Sequence, residues 1–201
     1  MNQKMKPLLL SILSAVLLTA CDQAGETSSS AAAERHIILF ILTDDLGDHY
    51  SGNAVCAPSR DALMTGRRPG HLSLRNNGAY SLNPDDTTVA TLLQQAGYHT
   101  ALIGKSTVTG NTQTPETLAT HGFDYFYGTT DHRDGHYRYP EFVYENTRKV
   151  EFPDNHLHHG QHYDLDLYTE KALSYLDEQS TGEAPFFLVL SVPVPHASIN
   201  V

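Results

Sequence analysis

The 201-residue sequence contains no tryptophan and only two cysteines, Cys21 and Cys56. So few cysteines exclude the disulfide framework of small secreted scaffolds. Basic charge is scarce too: 13 Lys and Arg face 23 Asp and Glu, giving a net charge of −10, which argues against nucleic acid as a partner. No apolar run is long enough to span a bilayer, because the longest, Leu8 to Ala20, is a 13-residue stretch and a spanning helix needs about 20. No internal repeat is apparent. What remains is 40% hydrophobic, enough for one domain with a real core.

Lys4 and Lys6 followed by the apolar stretch read as the n- and h-regions of a signal peptide, residues 1–20. Its end, Leu18-Thr19-Ala20-Cys21, resembles a bacterial lipobox, which implies that lipoprotein-processing machinery cleaves before Cys21 and acylates it. The mature chain is then expected in the cell envelope, lipid-anchored on the periplasmic side, with Asp22 favouring the inner membrane. It keeps 11 basic and 23 acidic side chains, a net −12, and acylation of Cys21 leaves Cys56 without an intramolecular partner. Residues 21–35 are rich in Ser, Ala and Thr without apolar periodicity, as expected of a flexible linker, and the domain is expected to fill 36–201.

Within that domain, His36 to Thr43 is a continuous apolar run expected to form a strand buried on both faces. Asp86 is placed to cap a helix in which Val89, Leu92, Leu93 and Ala96 share a face, with Gly97 at its end. A strand from His99 to Ile103, a helix from Leu165 to Glu178 and a strand from Phe186 to Val192 continue the alternation. Residues 131–161 show too little periodicity for anything but a long polar loop. Alternating helices and buried strands predict an α/β domain whose mostly parallel sheet binds ligands beyond the strands' carboxyl ends. Three strands then deliver Asp44 and Asp45, Lys105, and His196 to one edge.

Cys56-Ala57-Pro58-Ser59-Arg60, continued by Leu63, Thr65, Gly66 and Arg67, fits C-x-P-S-R-x-x-L-x-T-G-R at every specified position. By this motif the chain resembles type I, formylglycine-dependent sulfatases of the alkaline-phosphatase-like superfamily. The resemblance implies that a formylglycine-generating enzyme oxidises Cys56 to an aldehyde whose hydrate attacks the sulfur of a sulfate ester. Pro58 suits the first turn of a helix ended by Gly66, which places Cys56 at the positive helix end, where a sulfate anion is favoured. Two other readings of Cys56, a buried core residue and a cysteine-phosphatase nucleophile, fit less well, since the phosphatase loop needs C-x5-R and Arg60 gives C-x3-R.

The resemblance further implies that Asp44 and Asp45, with the oxygen derived from Cys56, hold Ca2+, with Mg2+ possible. It makes Arg60 and Lys105 sulfate-binding groups and His196, in Pro195-His196, the acid for the leaving group. Thr107 stands where many members have histidine. The expected substrate is a sulfate-ester small molecule or a sulfated glycan. Two pieces of the family pattern are missing: an Asp-Asn pair and second lysine after Val201, and a helix between Asp48 and Cys56, where only seven residues intervene. An incomplete sulfatase domain is therefore expected, with a non-catalytic lipoprotein remnant as the rival. A third reading is transition-metal capture by His156, His158, His159 and His162.

Overall fold

A computed structural model describes residues 36–46 and 52–197. The expected signal peptide, lipobox and linker lie outside the described residues. Six strands form one sheet in the order β1-β6-β2-β3-β4-β5. Strands β1 (Ile38–Asp44), β6 (Phe186–Pro195), β2 (His99–Lys105) and β3 (Tyr125–Thr129) run parallel, while β4 (Phe142–Glu145) and β5 (Arg148–Glu151) add an antiparallel hairpin. The expected parallel α/β architecture is thus present. The hairpin replaces part of the expected polar loop; its strands are four residues each, too short for periodicity to reveal.

Side chains on the central strands alternate between two cores. Leu102 on β2 and Phe187 and Val189 on β6 point to one face, with Ala57, Met64, Ala90 and Leu118 from helices α1 (Cys56–Thr65), α2 (Val89–Gln95) and α3 (Glu116–Thr120). Ala101, Ile103, Phe186 and Leu188 point to the other, against Tyr168, Ala172 and Tyr175 of α4 (Asp164–Ser180). The sequence period of α4 is therefore the period of its buried face.

Strand β1 departs from the expectation of burial on both faces. Ile38 and Phe40 pack onto the first core, but Leu39 and Ile41 are 47% and 59% exposed. The strand sits at the sheet edge with β6 as its neighbour, and α4 covers the inner strands instead. A continuous apolar run cannot tell a central strand from an edge strand whose second face lacks a cover.

Helix α2 starts two residues later than a cap at Asp86 implies. Thr88, not Asp86, is the cap, its hydroxyl accepting from the Thr91 N–H. Asp86 instead accepts from Arg67 and Ser73, so its carboxylate joins the end of the cysteine motif to the start of α2.

Candidate active site

Helix α1 begins at Cys56 and ends at Gly66, whose φ of +68° closes the helix in the left-handed conformation that glycine adopts without strain. The motif residues Pro58 and Gly66 thus frame the helix as expected. Cys56 is partly exposed and unpaired, one turn from Arg60. Because β1 lies beside β6, Asp44 comes opposite Pro195, and the His196 N–H donates to the Asp44 carbonyl at 3.0 Å. The parallel register of β2 with β6, pairing Gly104 with Ser191, brings Lys105 alongside.

Asp44 is the hub. Its Oδ1 lies 3.3 Å from Arg60 Nη2 and its Oδ2 lies 2.6 Å from Lys105 Nζ. Arg60 also donates to the Ser191 hydroxyl at 2.6 Å. Burial disfavours the ionised carboxyl, but neighbouring His136, Arg60 and Lys105 outweigh burial and hold the Asp44 pKa well below the usual carboxylate range. Burial, assisted by the charge of Arg60, lowers the pKa of Lys105, while Asp44 and Cys56 pull it back up. Buried cations of this kind need such a partner, because an unpaired charge away from water is costly.

His136 is the residue the sequence did not single out. It lies on a short 3-10 turn, Asp134–His136, after β3, within the stretch that lacks periodicity. Lys105 Nζ lies 2.6 Å from its Nε2, and its ring stacks on His196 with centroids 3.9 Å apart. Burial and the adjacent cations keep its pKa below the ordinary histidine value, against the opposing pull of Asp44. Its Nε2 is 3.6 Å from Asp44 Oδ2, beyond hydrogen-bond length, so the bond from Lys105 sets the tautomer. The ligand atoms of Cys56, His136 and His196 all lie within 4.8 Å of one another. His132, fully buried nearby, has no hydrogen-bond partner at either ring nitrogen.

Every sequence-expected site residue therefore falls in one region: Asp44, Asp45, Cys56 and Arg60 line a cleft of about 880 Å³ beside β1, and Lys105 and His196 reach Asp44 and Asp45 from β2 and β6. The match to a calcium site is poor. Ca2+ takes about six to eight oxygens, whereas both Asp44 oxygens face cations and Asp45 turns its Oδ2 to His196 at 3.4 Å. The described residues do not by themselves form a calcium site. An aldehyde or its hydrate at position 56 does fit: the side chain opens on the cleft at a helix N-terminus, beside the donors of Arg60 and Lys105. The four loop histidines are not gathered: His156 and His159 approach with ring centroids 5.2 Å apart, while His158 packs on Tyr137 and His162 on Phe152.

The sheet thus carries a cysteine-headed helix and buried cations at its carboxyl edge. The Sulfatase family model matches residues 45–201, so the chain belongs to the sulfatase family. It is 30% identical over 240 residues to arylsulfatase G of Rattus norvegicus, covering 87% of this chain and 44% of that protein. It is 31% identical to the N-acetylglucosamine-6-O-sulfatase of Bacteroides thetaiotaomicron, covering 73% of this chain and 23% of that one. Among solved structures, Ps i-CgsB in complex with k-i-k-neocarrahexaose superposes with a TM-score of 0.68 at 21% identity, over 84% of this chain and 47% of that chain. BT4656 in complex with its substrate D-glucosamine-2-N,6-O-disulfate gives 0.63 at 24%, over 81% and 35%. These likenesses place the fold in the alkaline-phosphatase-like group. The chain spans less than half the length of these relatives.

Proposed function

We propose that this chain carries the nucleophile-bearing, anion-holding half of a sulfuric ester hydrolase site, with Cys56 the precursor of formylglycine. The supporting observation is the convergence of Cys56 at the head of α1 with Arg60, Lys105 and His196 around Asp44. Converted and hydrated, residue 56 supplies one oxygen to attack sulfur and a second whose collapse to the carbonyl releases sulfate.

The chain's own residues do the rest. The positive end of the α1 dipole and the Arg60 guanidinium attract the sulfate group. Lys105, anchored on Asp44, adds a fixed positive charge where negative charge grows, without reorganisation during reaction. His196 Nδ1 lies 2.7 Å from the Ala197 carbonyl, which can only accept, so Nδ1 carries the proton. Its Nε2 faces Asp45 Oδ2 at 3.4 Å and, in the doubly protonated imidazolium form, is the atom that gives a proton to the leaving oxygen. A sulfated sugar or an aryl sulfate presents the ester such a site takes. The lipid anchor on the periplasmic side, and the lipoprotein-processing and formylglycine-generating enzymes as partners, belong to the same proposal.

A second reading, a non-catalytic sulfatase remnant, is favoured by the commitment of both Asp44 oxygens to cations in place of a calcium cage. Co-expression with a formylglycine-generating enzyme, followed by an aryl sulfate assay with and without Ca2+, separates the two. Hydrolysis abolished by Cys56→Ala supports the enzyme; equal rates in both proteins at every calcium level support the remnant.

A further inference from the structure

We propose that, while residue 56 is still a thiol, Cys56, His136 and His196 bind one thiophilic divalent metal ion of the Zn2+ type. This does not rest on the sulfatase reading, and conversion to the aldehyde would abolish it by removing the sulfur.

The donor set is one sulfur and two imidazoles, with ligand atoms all within 4.8 Å of one another. Among the described residues this is the group of three His, Cys, Asp or Glu side chains close enough to share an ion. Soft thiolate with imidazole selects zinc over calcium or magnesium, and three protein ligands leave a fourth position to solvent.

Both histidines are prepared by their second nitrogens. His196 places Nδ1 against the Ala197 carbonyl at 2.7 Å, which fixes the proton there and leaves the Nε2 lone pair free for metal. His136 is 93% buried, and its Nδ1 has no hydrogen-bond partner. A buried, unpartnered nitrogen within the cluster is an independent sign of a missing ligand. Metal on Nδ1 requires the ring proton on Nε2, so Lys105 Nζ, 2.6 Å from Nε2 before binding, must withdraw from it, and the Nε2–H must close the 3.6 Å gap to Asp44 Oδ2 to complete a carboxylate–histidine–metal arrangement. Lys105 keeps its bond to the same carboxylate oxygen at 2.6 Å.

Binding requires adjustment. Zn–S of about 2.3 Å and Zn–N of about 2.0 Å need the three side chains to close in by up to roughly 1 Å. The two rings, parallel to within 8°, must also turn so that their lone pairs converge. A stack of two imidazoles is a weak contact beside metal ligation, so the rotation is opposed only slightly. In the step itself the S–H bond breaks, an S–metal bond forms, the proton leaves to solvent, and the metal stays divalent. A chain that folds before conversion would then carry its nucleophile precursor capped.

The test uses the full chain in thiol form, selected by free-thiol titration, with Co2+ as the probe. The expected result is one equivalent bound, with a thiolate-to-cobalt charge-transfer band that Zn2+ bleaches. Cys56→Ala removes the band, and His136→Gln weakens binding at least about 10-fold, the lower end of losses seen even for outer-shell changes. A variant with His156, His158, His159 and His162 all changed to Gln keeps the band. Circular dichroism confirms that each variant is folded. Absence of the band in the wild type, or binding unchanged by Cys56→Ala, overturns the proposal.

Discussion

Asp44 holds the site together because three cationic or imidazole groups converge on one buried carboxylate. Removing one partner of a buried pair leaves the other uncompensated, at about 3–5 kcal/mol. Lys105→Met is therefore expected to destabilise the domain by about that much, read from urea midpoints. A change below about 1 kcal/mol would mean that the pair is solvated. At this scale the sequence was generous with Cys56, Arg60, Asp44, Asp45, Lys105 and His196, since each stands in a motif or directly after a strand. It was silent on His136 and His132, because histidine in a segment without periodicity carries no local signal and their burial arises from the tertiary fold. The weak calcium site is also a residue-scale property: calorimetric titration of this chain with Ca2+ is expected to show affinity no tighter than about millimolar, the weak end for protein calcium sites. Submillimolar binding would show that Asp44 releases its cations to the ion.

Helices and strands were legible where the pattern is long. Tyr168, Ala172 and Tyr175 announce α4, and Pro58 with Gly66 brackets α1. The hairpin β4–β5 was missed for its shortness, and the cap of α2 was misplaced because Asp86 and Thr88 are both good capping types and only the fold decides which is free. Thr88→Ala is expected to cost about 1 kcal/mol through loss of that cap, whereas Asp86→Asn should leave α2 itself intact. Fraying of α2 by hydrogen exchange distinguishes the two. The start of α4 carries a pH response. Burial raises the Asp164 pKa to about 6 despite the opposing charge of Arg138. The folded state thus holds this proton more tightly than the unfolded state does, so its stabilising contribution is complete below the ordinary carboxyl value of 3.8 and is lost as pH rises through about 6. Wild-type stability is expected to fall relative to Asp164→Asn across that window; parallel pH profiles would contradict it.

For the whole molecule, the parallel arrangement of β1, β6, β2 and β3 is what turns scattered sequence positions into one site, because parallel strands end on the same side. That much followed from the alternation of elements. The order of the strands did not, and it is the order that leaves β1 at the edge, with Ile37, Leu39 and Ile41 exposed. Among the described residues this leaves an apolar edge strand, which invites pairing with other chains. Leu39→Lys with Ile41→Lys is accordingly expected to reduce self-association in light scattering, and unchanged association would place the sticky surface elsewhere. The central claim, that Cys56 sits within a sulfate-attracting cluster at the sheet's carboxyl edge, is tested most directly by alkylating the Cys56 thiol with iodoacetamide over a series of sulfate concentrations, using chloride at matched ionic strength as control. Saturable slowing by sulfate alone is the predicted result. Alkylation at one rate in both salts would contradict it.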